Sequence, residues 1–595
     1  MYLKTAVGSS TQCVLRSSAP VLKLAIHFCT STKMSLKSKQ SLLVSALSAL
    51  CVQANLWDKP VQTSYGPVQG FEYFSQETLE TYFKTSNSNV TAFLGVPYGA
   101  DTAYQNRWKP AQPPTKWNQT LNATAFGPGC PTGDSGFGGG ADNTDVSEDC
   151  LSLNIWTSAS SANASLPVML WDQGSDETSN NTWWYGGGMA LKDVIFVSFN
   201  RRDNALGYLA HPDLNAEEYE RSGHYSSGNY GVLDQLAVLE WIKANIDNFG
   251  GDPNRVVVAG QSFGSSQVYH AVNSKLFKGL FHGGISESGI RYPKDTLLAG
   301  LATSYVTMED ALLFGQNYTD FHNVTSIAEL RTLSLDDLMI GSGDRVGNSS
   351  IWWVTALLAG YPLIFKPVLD DYVLPKRYFE SLLEGPANDV PVITGNALDE
   401  SGASTTTNYT LEQFRYYNEL RFGGLYKNFT KLYPINNNDT AANGAWNQVA
   451  TDISLVGSWL YATEWYKAAK SSFYTYFWTH APPGQTQGAF HQSEIMYALN
   501  ALYANTGTYP FTAEDWEIQA KMSAYWANFA KTLNPNDGGS YKGYYANGTL
   551  PRWNANRANG TQVVFELGDT FEDMPVAEPE RVAFVEEFFA RQAPY

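Results

Sequence analysis

Charge is scarce in this chain. Only 16% of its 595 residues are charged, and 39 Lys and Arg stand against 57 Asp and Glu, a formal charge of −18. The shortage of basic residues argues against a nucleic-acid or anionic-membrane partner, because both need a positive surface. There is no zinc-type His/Cys cluster, P-loop or dinucleotide fingerprint, so no metal or organic cofactor is expected. No internal repeat, charge block or long low-complexity linker divides the chain, which points to one folded unit. Hydrophobic residues are not scarce: they make up 43%, with 17 Trp, 35 Tyr and 30 Phe. That is ample for a large core and excludes wholesale disorder.

The first acidic residue is Asp58; Lys4, Arg16, Lys23, Lys33, Lys37 and Lys39 precede it. From Met34 the chain reads MSLKSKQSLLVSALSALCVQA, with a basic start, an apolar stretch over 42–52, and small residues at Val52 and Ala54. This reads as a secretory signal at 34–54, cleaved after Ala54, too short to span a bilayer. Residues 1–33 read as an upstream extension with Met34 the working start; a transit peptide is the alternative. The carboxyl end, FFARQAPY, carries no apolar tail or lipid signal, so no stable membrane anchor is expected. The single mature domain is then 55–595, 541 residues with a formal charge of −24, because the leader removes six basic and no acidic residues.

Of the five cysteines, Cys13, Cys29 and Cys51 fall in that leader, leaving Cys130 and Cys150. An even number in a secreted chain predicts one disulfide. Sequons follow at Asn89, Asn118, Asn122, Asn163, Asn180, Asn317, Asn323, Asn348, Asn408, Asn428, Asn438, Asn547 and Asn559. Glycosylation at several of them would explain how so few charges keep the surface soluble.

Short apolar runs alternate with helical patterns. Strands are expected at 91–96, 151–156, 167–171, 194–199, 256–259, 284–286, 390–394 and 473–478, and helices at 232–249, 264–273, 454–470, 516–532 and 578–591. The alternation reads as α/β with a mostly parallel sheet. The stretches 296–365 and 404–450 read as helical insertions outside the sheet, able to cover a site.

The chemistry concentrates at Gly260-Gln261-Ser262-Phe263-Gly264, between an apolar strand and a helix pattern. G-x-S-x-G in that setting is a nucleophile elbow: the serine sits on a sharp turn and the glycines make room. The bland alternative is a βα turn with a helix-capping Ser. A serine hydroxyl needs a base, and the base needs a carboxylate to orient it. In elbow proteins the order is Ser, acid, His. Late in the chain only His480 and His491 qualify. His480 ends a strand before Pro-Pro and reads as structural, whereas His491 lies in a loop, GAFHQSE, suited to reaching across the sheet. For the acid, Asp399 and Glu400 both follow the strand VPVIT, where α/β sites gather. Spacing does not choose between them.

The strings FLGVPYG, SEDCLSLN, NYGVLDQ, FGGDPNRVVVAGQSFG and GAFHQSE resemble the type-B carboxylesterase/lipase family, which includes cholinesterases and secreted fungal members. The resemblance runs from about Ser64 to the carboxyl end. It implies an α/β-hydrolase fold with helical insertions over the site, Ser262 as nucleophile, Glu400 as acid and His491 as base. It supports the Cys130–Cys150 bridge. It also implies structural ion pairs, Arg107 with Glu148 and Arg202 with Asp234, and a buried hydroxyl at Ser288.

One departure matters. After the strand ending at Trp171 the family has an aromatic or His and then three glycines. Here the chain reads Asp172-Gln173-Gly174-Ser175-Asp176-Glu177. The expected oxyanion donors are N–H groups of Phe263, Ser175 and Asp176, with Gly174 the surviving glycine. Asp176 would repel an oxyanion unless turned away or protonated. The bulky Phe263 is expected to fill core or narrow the pocket, and Gly186–Gly188 is read as a turn.

Two functions follow. One is a secreted serine ester hydrolase with an atypical oxyanion loop, a monomer or weak dimer acting on small-molecule esters. The other is a weak or inactive cholinesterase-like binding or adhesion protein on the same fold. The intact Ser262, Glu400 and His491 favour the first. The loop between Cys130 and Cys150 has no Trp and few apolar residues, chiefly Phe137 and Val146. That suits neither an interfacial lid nor a choline site, so soluble or small esters are preferred.

Overall fold

The computed structural model describes residues 55–132, 146–301, 304–346, 362–400, 402–556 and 561–595. The leader, the middle of the Cys130–Cys150 loop with Phe137, part of the first insertion, and the sequons at Asn348 and Asn559 lie outside the described residues.

One eleven-stranded sheet organises the molecule. In spatial order its strands are Asp573–Pro575, Val563–Leu567, Phe473–Trp478, Val392–Ala397, Gly283–Glu287, Gly251–Gln261, Leu166–Asp172, Ile195–Phe199, Ser152–Thr157, Thr91–Pro97 and Phe71–Glu72. The pairings from Ile195–Phe199 across to Val563–Leu567 are parallel, and those at the two edges antiparallel. Ile195–Phe199 and Phe473–Trp478 are buried along their whole length and Leu166–Asp172 from its second residue on, as in a sheet covered on both faces. Two large clusters of buried side chains lie against it, one including Leu170, Val258 and Leu239, the other Met169, Val257 and Trp526. Residues 168–170 and 256–258 alternate between the two, the two-residue period of a strand.

All eight expected strands are present, with ends shifted by a few residues. Val563–Leu567 was not anticipated. Its apolar run is short and carries Glu566, so it does not stand out in sequence. The helix expected at 454–470 spans Asp439–Ala468. Its first half is rich in Ala and Asn, which hides the period, yet Ala442, Trp446, Val449, Ile453 and Val456 are buried at helical spacing. Asn438 caps it, accepting from the Ala441 N–H. Part of the 404–450 insertion is therefore the start of a long helix. Gly187–Ala190 is one buried helical turn rather than a loop turn. A Cβ on Gly188 would sit 2.0 Å from the Asn500 carbonyl oxygen, so backbone packs directly on backbone there.

The Cys130–Cys150 disulfide is formed, with Cα atoms 5.1 Å apart. Arg107 pairs with Glu148 at 2.6 Å and Arg202 with Asp234 at 2.6 Å, all four buried. Arg107 also donates to the carbonyls of Arg331 and Leu333, pinning the first insertion to the scaffold. Among the described residues no helix is long and apolar enough to cross a membrane, and no cluster of His, Cys, Asp and Glu could hold a metal ion. Of the described sequon residues, Asn118, Asn122, Asn163, Asn317, Asn323, Asn408, Asn428, Asn438 and Asn547 are exposed.

Candidate active site

Ser262 joins the strand Gly251–Gln261 to the helix Phe263–Asn273 at φ 56°, ψ −119°. Such a backbone costs about 1–3 kcal/mol for a non-glycine residue and needs support. Support comes from the Ser262 N–H donating to the Glu287 carbonyl at 2.9 Å and from Ser266 N–H on the Ser262 carbonyl at 3.2 Å. The flanking glycines are sterically required. A Cβ on Gly264 would lie 1.9 Å from the Asp172 carbonyl oxygen, and one on Gly260 would lie 2.6 Å from the Gly264 carbonyl.

Glu400 and His491 come together on the other side. Glu400 hydrogen-bonds His491 Nδ1, which assigns the Nδ1 proton to that bond and leaves Nε2 free to act as a base. Glu400 is further held by the Ala397 N–H at 2.6 Å and by the Ser288 hydroxyl at 2.7 Å. Ser288 is half-buried rather than buried. Asp399 faces elsewhere: it accepts from the Ala489 N–H at 2.8 Å and anchors the loop that carries His491. The long helix supports the loop that follows Glu400, through Trp446 Nε1 on the Gly402 carbonyl and Asn447 on the Ser404 carbonyl. His480 bridges Asp515 and Asp569 and is structural.

Electrostatics single out Glu400. Three carboxyls, Glu400, Glu494 and Glu287, cluster behind the imidazole. Burial raises Glu494 well above its ordinary range, and the neighbouring Glu287 and Glu400 add to the rise. Burial raises Glu287 to about 8, against the bond it accepts from Trp526 Nε1. Burial also acts on Glu400, but the charge of His491, then the bonds from His491, Ser288 and Ala397, outweigh it and lower its pKa. The environments thus push the three carboxyls apart, Glu400 down and Glu287 and Glu494 up, the pattern that separates acid and base roles. For His491 burial opposes the cation, and the Glu400 carboxylate overcomes it, holding the pKa above 6.5. The His491 side chain remains 43% exposed in the cleft. Among the described residues no hydrogen bond joins it to Ser262; Gln261 Nε2 lies 3.3 Å from its Nε2 instead. Such bonds are often loose until a substrate tightens them.

The loop after Asp172 is built from charges. Arg201, fully buried, pairs with Asp172 at 2.6 Å and with Asp203 at 3.2 Å. Its Nη2 donates to the Gly174 carbonyl at 3.2 Å, and its guanidinium lies 5.0 Å over the Phe263 ring. Phe263 thus fills core beneath Arg201, edge-on to Tyr208. The peptide is trans, so the Ser175 N–H points away from Arg201. Two other N–H groups of the loop are engaged. Gly174 N–H donates to Glu177 Oε2 at 2.9 Å, and Asp176 N–H supports the Asp203 carboxylate. The Asp176 side chain, on a left-handed backbone at φ 60°, accepts from Asn204 at 2.7 Å. Burial, then the charge of Asp203, raises it to about 7. Glu177 and Gln492 were not singled out by sequence. Glu177 accepts from Gln492 at 3.0 Å beside His491, and burial raises its pKa. No motif marks either residue; only the loop geometry brings them to the site.

A strained serine between strand and helix, a histidine–carboxylate pair facing it, and this sheet order define an α/β hydrolase. Residues 58–578 match the model of the carboxylesterase family, and the chain belongs to that family and is a carboxylic ester hydrolase. It is similar to fumonisin B1 esterase of Sphingopyxis macrogoltabida, 30% identical over 76% of this chain and 80% of that protein. It is also similar to human cocaine esterase, 28% identical over 87% and 90% of the two chains. A solved structure of PNB esterase superposes with a TM-score of 0.67 at 25% identity, covering 89% of this chain and 99% of that one.

Proposed function

We propose that the protein is a secreted serine esterase working through Ser262, His491 and Glu400. Ser262 Oγ attacks the ester carbonyl carbon while its proton passes to His491 Nε2. Glu400 holds the ring and stabilises the imidazolium. The alcohol leaves with that proton, and water, deprotonated in turn by His491, hydrolyses the acyl-enzyme. The oxyanion is received by the N–H groups of Phe263 and Ser175, neither of which has a protein acceptor among the described residues. Each such donor contributes about 2.7–4 kcal/mol to barrier lowering. The observation that carries this reading is the Glu400–His491 bond across from an elbow serine at φ 56°.

The engaged Gly174 and Asp176 N–H groups favour the second reading, a weakly catalytic binding protein. Turnover of p-nitrophenyl acetate separates the two: the esterase reading requires saturable hydrolysis that disappears in Ser262→Ala. Equal rates for both proteins contradict it. Small soluble esters are the proposed substrates. With tributyrin, a rate that rises smoothly through the solubility limit supports that, and a sharp jump there contradicts it. Secretion predicts an extracellular protein whose first residue is Asn55, carrying glycans on exposed sequons, and amino-terminal sequencing tests it.

A further inference from the structure

A cavity of about 430 Å³ opens at the end of the sheet away from Ser262. It is lined by Asn89, which precedes the strand Thr91–Pro97, by Ser158, which follows Ser152–Thr157, and by Lys192 and Asp193, which precede Ile195–Phe199. Ile195–Phe199 runs parallel to Leu166–Asp172, and that strand runs parallel to Gly251–Gln261. The start of Ile195–Phe199 is therefore the end of the sheet opposite Ser262.

Lys192 is the unusual residue. It is only 7% exposed and, among the described residues, makes no ion pair and has a single long contact, from Nζ to the Ser540 carbonyl at 3.4 Å. An ammonium carries three donors, and a buried amine with so little compensation is costly unless something else meets it. Lys531 and Lys542 approach the same place, and one carboxylate, Asp193, serves both, at 3.9 and 2.8 Å. Three amines against one carboxylate make a positive spot on a chain whose net charge is −18. The walls are aromatic: Tyr82 and Tyr545 stack on the two sides of Trp516, and Tyr544, 67% exposed, packs against Tyr545 at the rim.

We propose that this cleft binds an aromatic carboxylate at a site separate from Ser262, with Lys192 and Lys542 holding the carboxylate and Tyr544 and Tyr545 covering the ring. Amines that converge with a deficit of carboxylates recognise an anion, and aromatic walls select one with a flat apolar face. Aromatic acids are also a class of product that ester hydrolysis releases, so the site could hold such a product away from the reaction centre.

Benzoate is the probe, titrated calorimetrically into the full-length protein. Burial, then the charges of Lys531 and Lys542, lowers Lys192 to about 7. The other ionisable groups facing the amine are Lys531 from the helix Ala513–Thr532, Lys542 and Asp193 at the mouth, and the wall tyrosines. At pH 8 the amine is mostly neutral, so binding should draw a proton onto it, read as a dependence of the heat on the ionisation enthalpy of the buffer. Lys192→Met should weaken binding about tenfold or more, and the exposed Lys542→Gln about threefold. Ester turnover by Ser262 should be unchanged in both variants. Failure of turnover in the wild type would undo the Ser262 reading and leave this site standing. The inference is overturned by the absence of saturable benzoate binding up to about 10 mM. Equal affinity in Lys192→Met, or inorganic phosphate binding as tightly as benzoate, would also overturn it.

Discussion

The two sides of Ser262 solve the same problem with different chemistry. On the proposed acid–base side, Glu400 hydrogen-bonds His491, and burial raises the neighbouring Glu287 and Glu494 while His491 helps to lower Glu400. On the oxyanion side, a loop for which the family uses consecutive glycines is held by buried charges, Asp172, Arg201 and Asp203, with Glu177 capping the Gly174 N–H. In the proposed mechanism the acid–base side is specified by side chains that carry the chemistry. The oxyanion side is specified by backbone, so its side chains are free to change as long as some network presents the same N–H groups.

That contrast can be broken in stages. His491→Ala should lower kcat by on the order of 10⁴-fold or more with KM little changed, because the base acts only in the transition state. A loss below tenfold would remove His491 from the mechanism. Arg201→Met should come next. It leaves Asp172 and Asp203 buried without their cation and destabilises the fold by about 3–5 kcal/mol. In protein that still folds, it should lower kcat rather than raise KM, since Arg201 acts on the oxyanion loop through the Gly174 carbonyl. Denaturant titration and steady-state kinetics read the two effects, and an unaltered kcat would detach the charge network from catalysis.

Cys130→Ala with Cys150→Ala is the control for plain destabilisation. It should cost about 3 kcal/mol for a loop of this length, with kcat preserved in the folded fraction. Asp176→Gly should change turnover by less than about threefold. Its carboxylate bonds Asn204 and its backbone already has a left-handed φ that glycine accepts. A large rise would mean that Asp176 faces the oxyanion after all.

The smallest effect is in pH dependence. His491 must be neutral to act as base, and its pKa lies above 6.5, so kcat/KM should fall as pH drops through that raised value. Glu177 is among the carboxylates that raise it. Glu177→Gln removes a negative neighbour and should move the acid limb down by a few tenths of a pH unit. A limb that stays put or moves up would contradict the placement.

Legibility followed the same division. The main strands, the elbow, and the ion pairs Arg107–Glu148 and Arg202–Asp234 could be read because each rests on a local pattern or a distinctive string. Asp399 and Glu400 could not be separated by spacing, because adjacent residues on one turn differ only in what they face. Asp399 faces the Ala489 N–H, and Glu400 faces the imidazole. Glu177, Gln492 and Arg201 were invisible because their roles depend on a loop fold that no periodicity encodes. The start of the helix Asp439–Ala468 was missed because its buried Ala and Trp positions are diluted by polar neighbours. The 133–145 and 347–361 regions hold the remaining parts of the Cys loop and the first insertion, outside the described residues.

The central claim is that Ser262 is an activated nucleophile despite the rebuilt oxyanion loop. Reaction with a fluorophosphonate probe, followed by intact mass and peptide mapping, tests it directly. The account predicts one adduct per chain, on Ser262, at a rate that falls as His491 protonates, and none in Ser262→Ala. An unlabelled wild-type protein, or an adduct that persists in Ser262→Ala, would contradict it.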